Sequence, residues 1–273
     1  MEKRVKPLVI AANWKMNLGP AEAVNYIERF NDIVEGDVRK TRSMRDREVE
    51  VIFFPPTISL PYICQYNKKG NYYFGAQNAH WLPKGAYTGE TAIPMLKELG
   101  VTHVLVGHSE RRWIFHENDE MISFKIKACS EFNVLPVFCV GEKEEDRLRN
   151  KTKEVVAKQV KDGLSFLKEL KEPNFLYIAY EPVWAIGTGK TASPKDAQRA
   201  NAFIREVIHS LYGGTVAESV RILYGGSVKP ENTKDLIMQK DVDGLLVGGA
   251  SLDPHKFYRI ISTAIDVLEK SEA

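Results

Sequence analysis

The sequence predicts an α/β protein built as a closed, eight-stranded parallel (β/α)8 barrel, and three observations carry that expectation. Eight short runs rich in β-branched, aromatic or leucine residues recur along the chain, and most are continuous rather than alternating, as strands covered on both faces must be. Between them lie stretches in which apolar residues return at spacings of three and four, the mark of helices with one buried face. Eight such pairs within 273 residues suit a closed barrel, whereas about five or six would suit an open doubly wound sheet.

Taken in order, the first run is PLVIAAN, followed by the helical pattern AEAVNYIERFNDIV. Ahead of the second run, VEVIFFP, lies a basic segment at residues 36–50 with Arg39, Lys40, Arg42, Arg45 and Arg47. No aromatic residues interleave with those charges for base stacking, so a solvated loop is expected there rather than a nucleic-acid patch. The third and fourth runs are YYFGAQN and THVLVGH, the latter entering a helical stretch that begins SERRWIF. VLPVFCVG and FLYIAYE come next, and Pro182, just past the sixth run, cannot continue a ladder and turns the chain. The pattern AQRANAFIREVIHSLY then leads to RILYGG and DGLLVGG, the seventh and eighth. No linker rich in Pro, Gly and Ser divides the series, so a single domain over residues 1–273 is expected.

Composition narrows the function. With 44% hydrophobic and 27% charged residues and a net charge of +2, the chain has the balance of an ordinary folded protein and too little excess charge to seek nucleic acid. The opening MEKRVKPLVIAANW lacks a small-residue cleavage site, and no apolar run approaches the roughly 20 residues of a membrane span, so neither export nor a membrane partner is expected. Cys64, Cys129 and Cys139 are odd in number and form no CxxC pair, which suits free thiols in a reducing cytoplasm. The six histidines show no HExxH or zinc-finger spacing, so no metal is expected.

In a barrel of this kind chemistry sits at the carboxyl ends of the strands. Lys15, just past the first run, is either a surface lysine or a cation aimed at an anion in the barrel mouth. His108 ends the fourth run at a helix start, where the dipole disfavours imidazolium; it is either a structural cap or a neutral ring able to polarise a carbonyl. Glu181 ends the sixth run, as a solvated charge or as a base whose pKa burial would raise. The pairs Gly225-Gly226 and Gly248-Gly249 are either turn punctuation or backbone laid close to a phosphate. Cys139 inside VFCV reads as a small core residue, and Ser109, adjoining His108, has no orienting acid for a Ser-His-Asp arrangement. Taken together, the acid, the histidine, the lysine and the glycines fit proton abstraction beside a carbonyl on a small phosphorylated compound.

The stretch AYEPVWAIGTGKTASP contains GTGKT, which invites a nucleotide-loop reading. Five residues before Gly189, where that loop needs a glycine, stands Trp184, and an indole would fill the space the phosphates require. A lid joined to its own acid explains the stretch better, with PVW and KTA as hinges; Lys190→Ala is then expected to spare the chemistry more than Glu181→Gln.

The strings AANWKMN, GAQN, GAYTGETA, VGHSERR, CVGE, AYEPVWAIGTGKTASP, YGGSV and DGLLVGGASL, in this order through nearly the whole chain, resemble the triosephosphate isomerase family. The resemblance implies the TIM barrel fold and interconversion of dihydroxyacetone phosphate and D-glyceraldehyde 3-phosphate through an enediol, in glycolysis and gluconeogenesis, with no cofactor or metal. It implies Glu181 as the proton-shuttling base, His108 as the neutral electrophile, Lys15 as the electrostatic stabiliser and Asn13 as a substrate contact. It further implies Gly187, Ser227, Gly248 and Gly249 at the phosphate, with Ser109 and Glu110 beside the catalytic residues. A cytoplasmic homodimer is implied as well, held through the loop QNAHWLPKGAYTGE with Thr88 near its tip. The basic segment and YNKKGNYY look longer than the family's pattern, which leaves the elements around the second and third strands open.

Overall fold

The eight apolar runs form eight parallel strands, each paired with the next and the eighth with the first, so the sheet closes without a free edge. The computed structural model describes residues 6–66, 70–167, 175–185 and 192–272. The strands are β1 Leu8–Asn13, β2 Val49–Phe54, β3 Tyr73–Ala76, β4 His103–Val106, β5 Leu135–Val140, β6 Tyr177–Tyr180, β7 Arg221–Tyr224 and β8 Gly244–Val247. The helices in chain order begin with α1 Pro20–Glu35, α2 Val38–Arg45, α3 Leu60–Ile63, α4 Ile93–Glu98, α5 Ser109–Trp113 and α6 Asp119–Glu131. They continue with α7 Glu144–Leu148, α8 Thr152–Gly163, α9 Pro194–Tyr212, α10 Gly214–Ser219, α11 Thr233–Ile237 and α12 Pro254–Glu272.

Successive strand side chains point to opposite faces, and here both faces are buried, which is why the runs lack polar alternation. One set, including Val9, Ala11, Ile52, Phe54, Leu105 and Leu223, fills the barrel interior. The intervening set, including Ile10, Phe53, Val104, Phe138 and Ile178, packs outward in one cluster with helix residues such as Ile27, Phe30, Ile122 and Phe257. Trp14, wholly buried, meets Tyr26 and Phe53 at centroid separations of 4.7 and 5.7 Å and fixes the turn out of β1.

The basic segment is not a solvated loop. Its residues 38–45 form α2, with Asp37 capping the amino end by accepting a hydrogen bond from the Lys40 N–H. Lys40 is buried and donates to Asp266 at 2.6 Å and to the Ser262 carbonyl at 2.7 Å, while Arg39 pairs with Asp266 and Glu269. Two of the five cations therefore tie α2 to α12. The sequence expectation failed because those acids lie more than two hundred residues downstream.

At the amino ends of the strands Glu50 lies 3.1 Å from His103 Nε2 and accepts a hydrogen bond from Tyr177 Oη at 2.9 Å. Burial raises the Glu50 carboxyl, but His103, Tyr177 and Arg221 outweigh it and hold the carboxyl below its ordinary value. Asp196, held at about 2 despite some burial by Ser193, Arg199 and Arg147, behaves alike. Such groups add stability above the ordinary carboxylate range, and that stability is lost as the pH falls through their folded-state values. Urea midpoints are therefore expected to fall as the pH drops below the ordinary carboxylate range, with a shallower fall in Glu50→Gln; an equally steep fall in that variant would remove Glu50 from the account.

Candidate active site

At the carboxyl ends of the strands a cavity of about 590 Å³ opens, lined by Asn13, Lys15, His108, Glu181, Ser227 and the pair Gly248 and Gly249, among others. Most of the residues singled out from the sequence thus meet in one place. Ser109 and Glu110 stand behind this lining and touch it. Gly187, Lys190 and the lid tip fall outside the described residues.

Asn13 ends β1, and its Oδ1 accepts the Lys15 N–H at 3.0 Å. Lys15 takes the left-handed backbone region with φ 53°, and its Nζ donates to Glu110 Oε1 at 2.7 Å. Gln77, beyond β3, donates to the carbonyls of Lys15 and Phe54 at 2.8 and 2.9 Å, so it secures this strained residue from two strands away, across the end of β2. Nothing local in GAQN marks Gln77 for this task; its partners lie on distant elements, and only the fold supplies them.

His108 caps α5: its Nδ1 accepts the Glu110 N–H at 3.3 Å, and its Nε2 lies 2.9 Å from Glu181 Oε1. A ring that accepts at Nδ1 and donates at Nε2 is the neutral Nε2–H tautomer. The expectation that the helix start governs its charge needs amending, since α5 has only five residues. Burial disfavours the imidazolium, whereas the Glu181 carboxylate and its hydrogen bond favour it, leaving the pKa above the ordinary histidine value. Replacing Glu181 by Gln is therefore expected to lower the His108 titration point, read by the NMR shift of its ring nitrogens; an unmoved titration would dismiss the coupling.

Glu181 is 2% exposed, and its Oε2 accepts the Ser109 N–H at 2.8 Å. Ser109 thus serves through its backbone. Two glycines make room for the acid: a Cβ on Gly141 would lie 1.7 Å from the Glu181 carbonyl oxygen, and one on Gly225 would lie 3.1 Å from its Cγ. Gly225, expected to bare backbone to a phosphate, is accounted for by this close approach to Glu181. At Gly249 nothing lies within 4 Å of where a Cβ would be, and at Gly248 only Lys15 Cε at 3.7 Å, so this second pair does present open backbone to the cavity. Cys139 is a core residue, wholly buried inside the barrel, where burial first and the Glu181 charge second push its thiol well above the ordinary range.

Just past Glu181, Val183 and Trp184 are held by another acid. Glu142, buried at the end of β5, accepts hydrogen bonds from Tyr180 Oη and Trp184 Nε1, each at 3.0 Å, and its carbonyl accepts the Val183 N–H. Its carboxyl is raised because burial outweighs these hydrogen bonds. Among the described residues no cluster of three or more histidine, cysteine or carboxylate side chains is placed to hold a metal ion, and no helix is long and apolar enough to cross a membrane.

The fold and its mouth define a (β/α)8-barrel enzyme. The family model described as triosephosphate isomerase matches residues 8–264. The chain is 44% identical over 255 residues to the triosephosphate isomerase of Dictyoglomus thermophilum, covering 93% of this chain and 98% of that protein. It is 45% identical to the triosephosphate isomerase of Clostridium tetani, over 94% of this chain and 97% of that one. With the triosephosphate isomerase of Carboxydothermus hydrogenoformans the identity is 47%, over 94% and 98% of the two chains. The chain belongs to the triosephosphate isomerase family.

Proposed function

We propose that the protein interconverts dihydroxyacetone phosphate and D-glyceraldehyde 3-phosphate by proton transfer through an enediol, needing no cofactor or metal. The observation that carries this reading is the pairing of Glu181 and His108, 2.9 Å apart, in a cavity that also contains Lys15, Asn13 and the open backbone of Gly248 and Gly249. Substrate entry parts the acid from the histidine. Glu181 then takes a proton from the carbon beside the carbonyl, and negative charge grows on the carbonyl oxygen. Lys15 and the His108 Nε2–H stabilise that charge, with Asn13 orienting the oxygens. The His108 ring gives a proton to the former carbonyl oxygen and takes one from the neighbouring hydroxyl, while Glu181 returns its proton to the neighbouring carbon, so that carbonyl and hydroxyl change places and aldose and ketose are exchanged.

Ser227, Gly248 and Gly249 hold the phosphate in this scheme. The segment between Trp184 and Ser193 closes over the bound intermediate and excludes water, which keeps the enediol phosphate from shedding its phosphate. Conversion of glyceraldehyde 3-phosphate to dihydroxyacetone phosphate by purified protein with a chelator present is the expected result, and a folded protein that fails to convert it would sink the proposal.

We also take residues 1–273 as one domain acting in the cytoplasm, consistent with three free thiols, and as a homodimer. Support for the dimer comes from apolar side chains left exposed around the mouth and on the Thr88 loop: Met16 is 96% exposed, and Ile58, Leu82 and Tyr87 are open to solvent as well. Thr88→Arg is expected to shift the protein to monomer in sedimentation, with isomerase activity falling in parallel. A dimer of unchanged stability would remove that loop from the interface.

A further inference from the structure

A second cavity, of about 430 Å³, lies outside the catalytic mouth, between the amino-terminal parts of α8 and α9. Arg147, Lys153 and Arg199 line it together with Tyr180, Asp196 and Phe203. Three cations thus face one carboxylate. Asp196 Oδ1 is shared by Arg199 at 2.7 Å and Arg147 at 3.4 Å, and its Oδ2 is taken by the backbone N–H and hydroxyl of Ser193. Lys153 Nζ lies 4.9 Å from the Phe203 ring centroid, a contact that leaves its charge available.

Arg147 links this cavity to the lid. Its guanidinium lies 4.1 Å from the Trp184 ring centroid on the Glu181 side of the lid segment, and it reaches Asp196 in the first turn of α9. An anion that engages Arg147 therefore draws on the one guanidinium that meets both Trp184 and Asp196. The geometry points to a second anion site, taking a compact, multiply charged phosphate and reporting its occupancy to the Trp184 hinge. The lid's part in this rests on the proposed isomerase reading, whereas binding in the cavity does not.

The test uses the full-length protein labelled with 5-fluorotryptophan, at constant ionic strength, with glycerol 3-phosphate added to fill the catalytic phosphate site. Inorganic pyrophosphate is titrated by calorimetry and by fluorine NMR, with the Trp184 resonance assigned through Trp184→Phe. Saturable heat and a matching shift of the Trp184 resonance are expected. In Lys153→Ser/Arg199→Ser the dissociation constant is expected to rise about tenfold or more, as loss of two charge-assisted contacts implies, and Lys153→Glu/Arg199→Glu is expected to abolish binding. Both substituted side chains are exposed, so folding and anion-free turnover should be retained. Absence of saturable heat, or an unchanged dissociation constant in the double variants, would overturn the site. Heat without a Trp184 shift would overturn the coupling to the hinge. An inactive wild-type protein would count against the isomerase reading alone, because neither readout depends on turnover.

Discussion

Glu181→Gln is expected to lower turnover at least about a hundredfold while the protein stays folded, as loss of a positioned base implies. The substitution keeps the shape of the side chain and removes its ability to take a proton from carbon. It leaves Oε1 as an acceptor for one of the two donors, the Ser109 N–H or the His108 Nε2–H, and gives up the other hydrogen bond, a local loss that a folded barrel tolerates. Steady-state kinetics with a thermal melt on the same preparation separate a chemical defect from an unfolded one. Turnover near that of the unaltered protein would remove Glu181 from its role.

The second large effect is expected at Lys15. Methionine there preserves length and packing but removes the charge facing the oxygen on which negative charge grows, and kcat/KM is expected to fall roughly a hundredfold or more, in line with loss of a preorganised electrostatic partner. Stability should change little, because the Lys15 and Glu110 side chains are 29% and 39% exposed and so paired near solvent. A fall of only a few-fold, with Glu110→Gln equally active, would return Lys15 to the status of a surface lysine.

How much of this was legible beforehand follows from where each partner lies. The strands could be read because burial on both faces leaves continuous apolar runs, a local property. Asn13, Lys15, His108, Glu181, Gly248 and Gly249 could be found because a barrel gathers strand ends, so position along the chain implied position at the mouth. Contacts across the fold could not. Lys40 reads as one charge in a basic run until Asp266 of α12 is brought beside it. Gln77 and Glu142 look like ordinary polar residues until the carbonyl of Lys15 and the indole of Trp184 come within reach. Gly225 resembles a phosphate-approach glycine from spacing alone, and its nearness to Glu181 is visible only once β6 and β7 are side by side.

His108 shows the same limit in electrostatics. Its place at a helix start was local and readable, but the carboxylate that raises its pKa comes from a strand 72 residues later than the Ser109 N–H that holds the other carboxylate oxygen. The charge of the ring is thus tied to whether Glu181 rests against it, and substrate entry changes both together.

The most direct measurement follows the proton itself. Dihydroxyacetone phosphate is incubated in deuterium oxide with the protein and a chelator, and the products are read by proton NMR. Conversion to glyceraldehyde 3-phosphate carrying deuterium at the neighbouring carbon, to which Glu181 returns the proton, is predicted, with deuterium also entering the deprotonated carbon of the remaining dihydroxyacetone phosphate and both signals lost together in Glu181→Gln. A folded protein that gives neither, or a Glu181→Gln variant that exchanges and converts undiminished, would contradict the account.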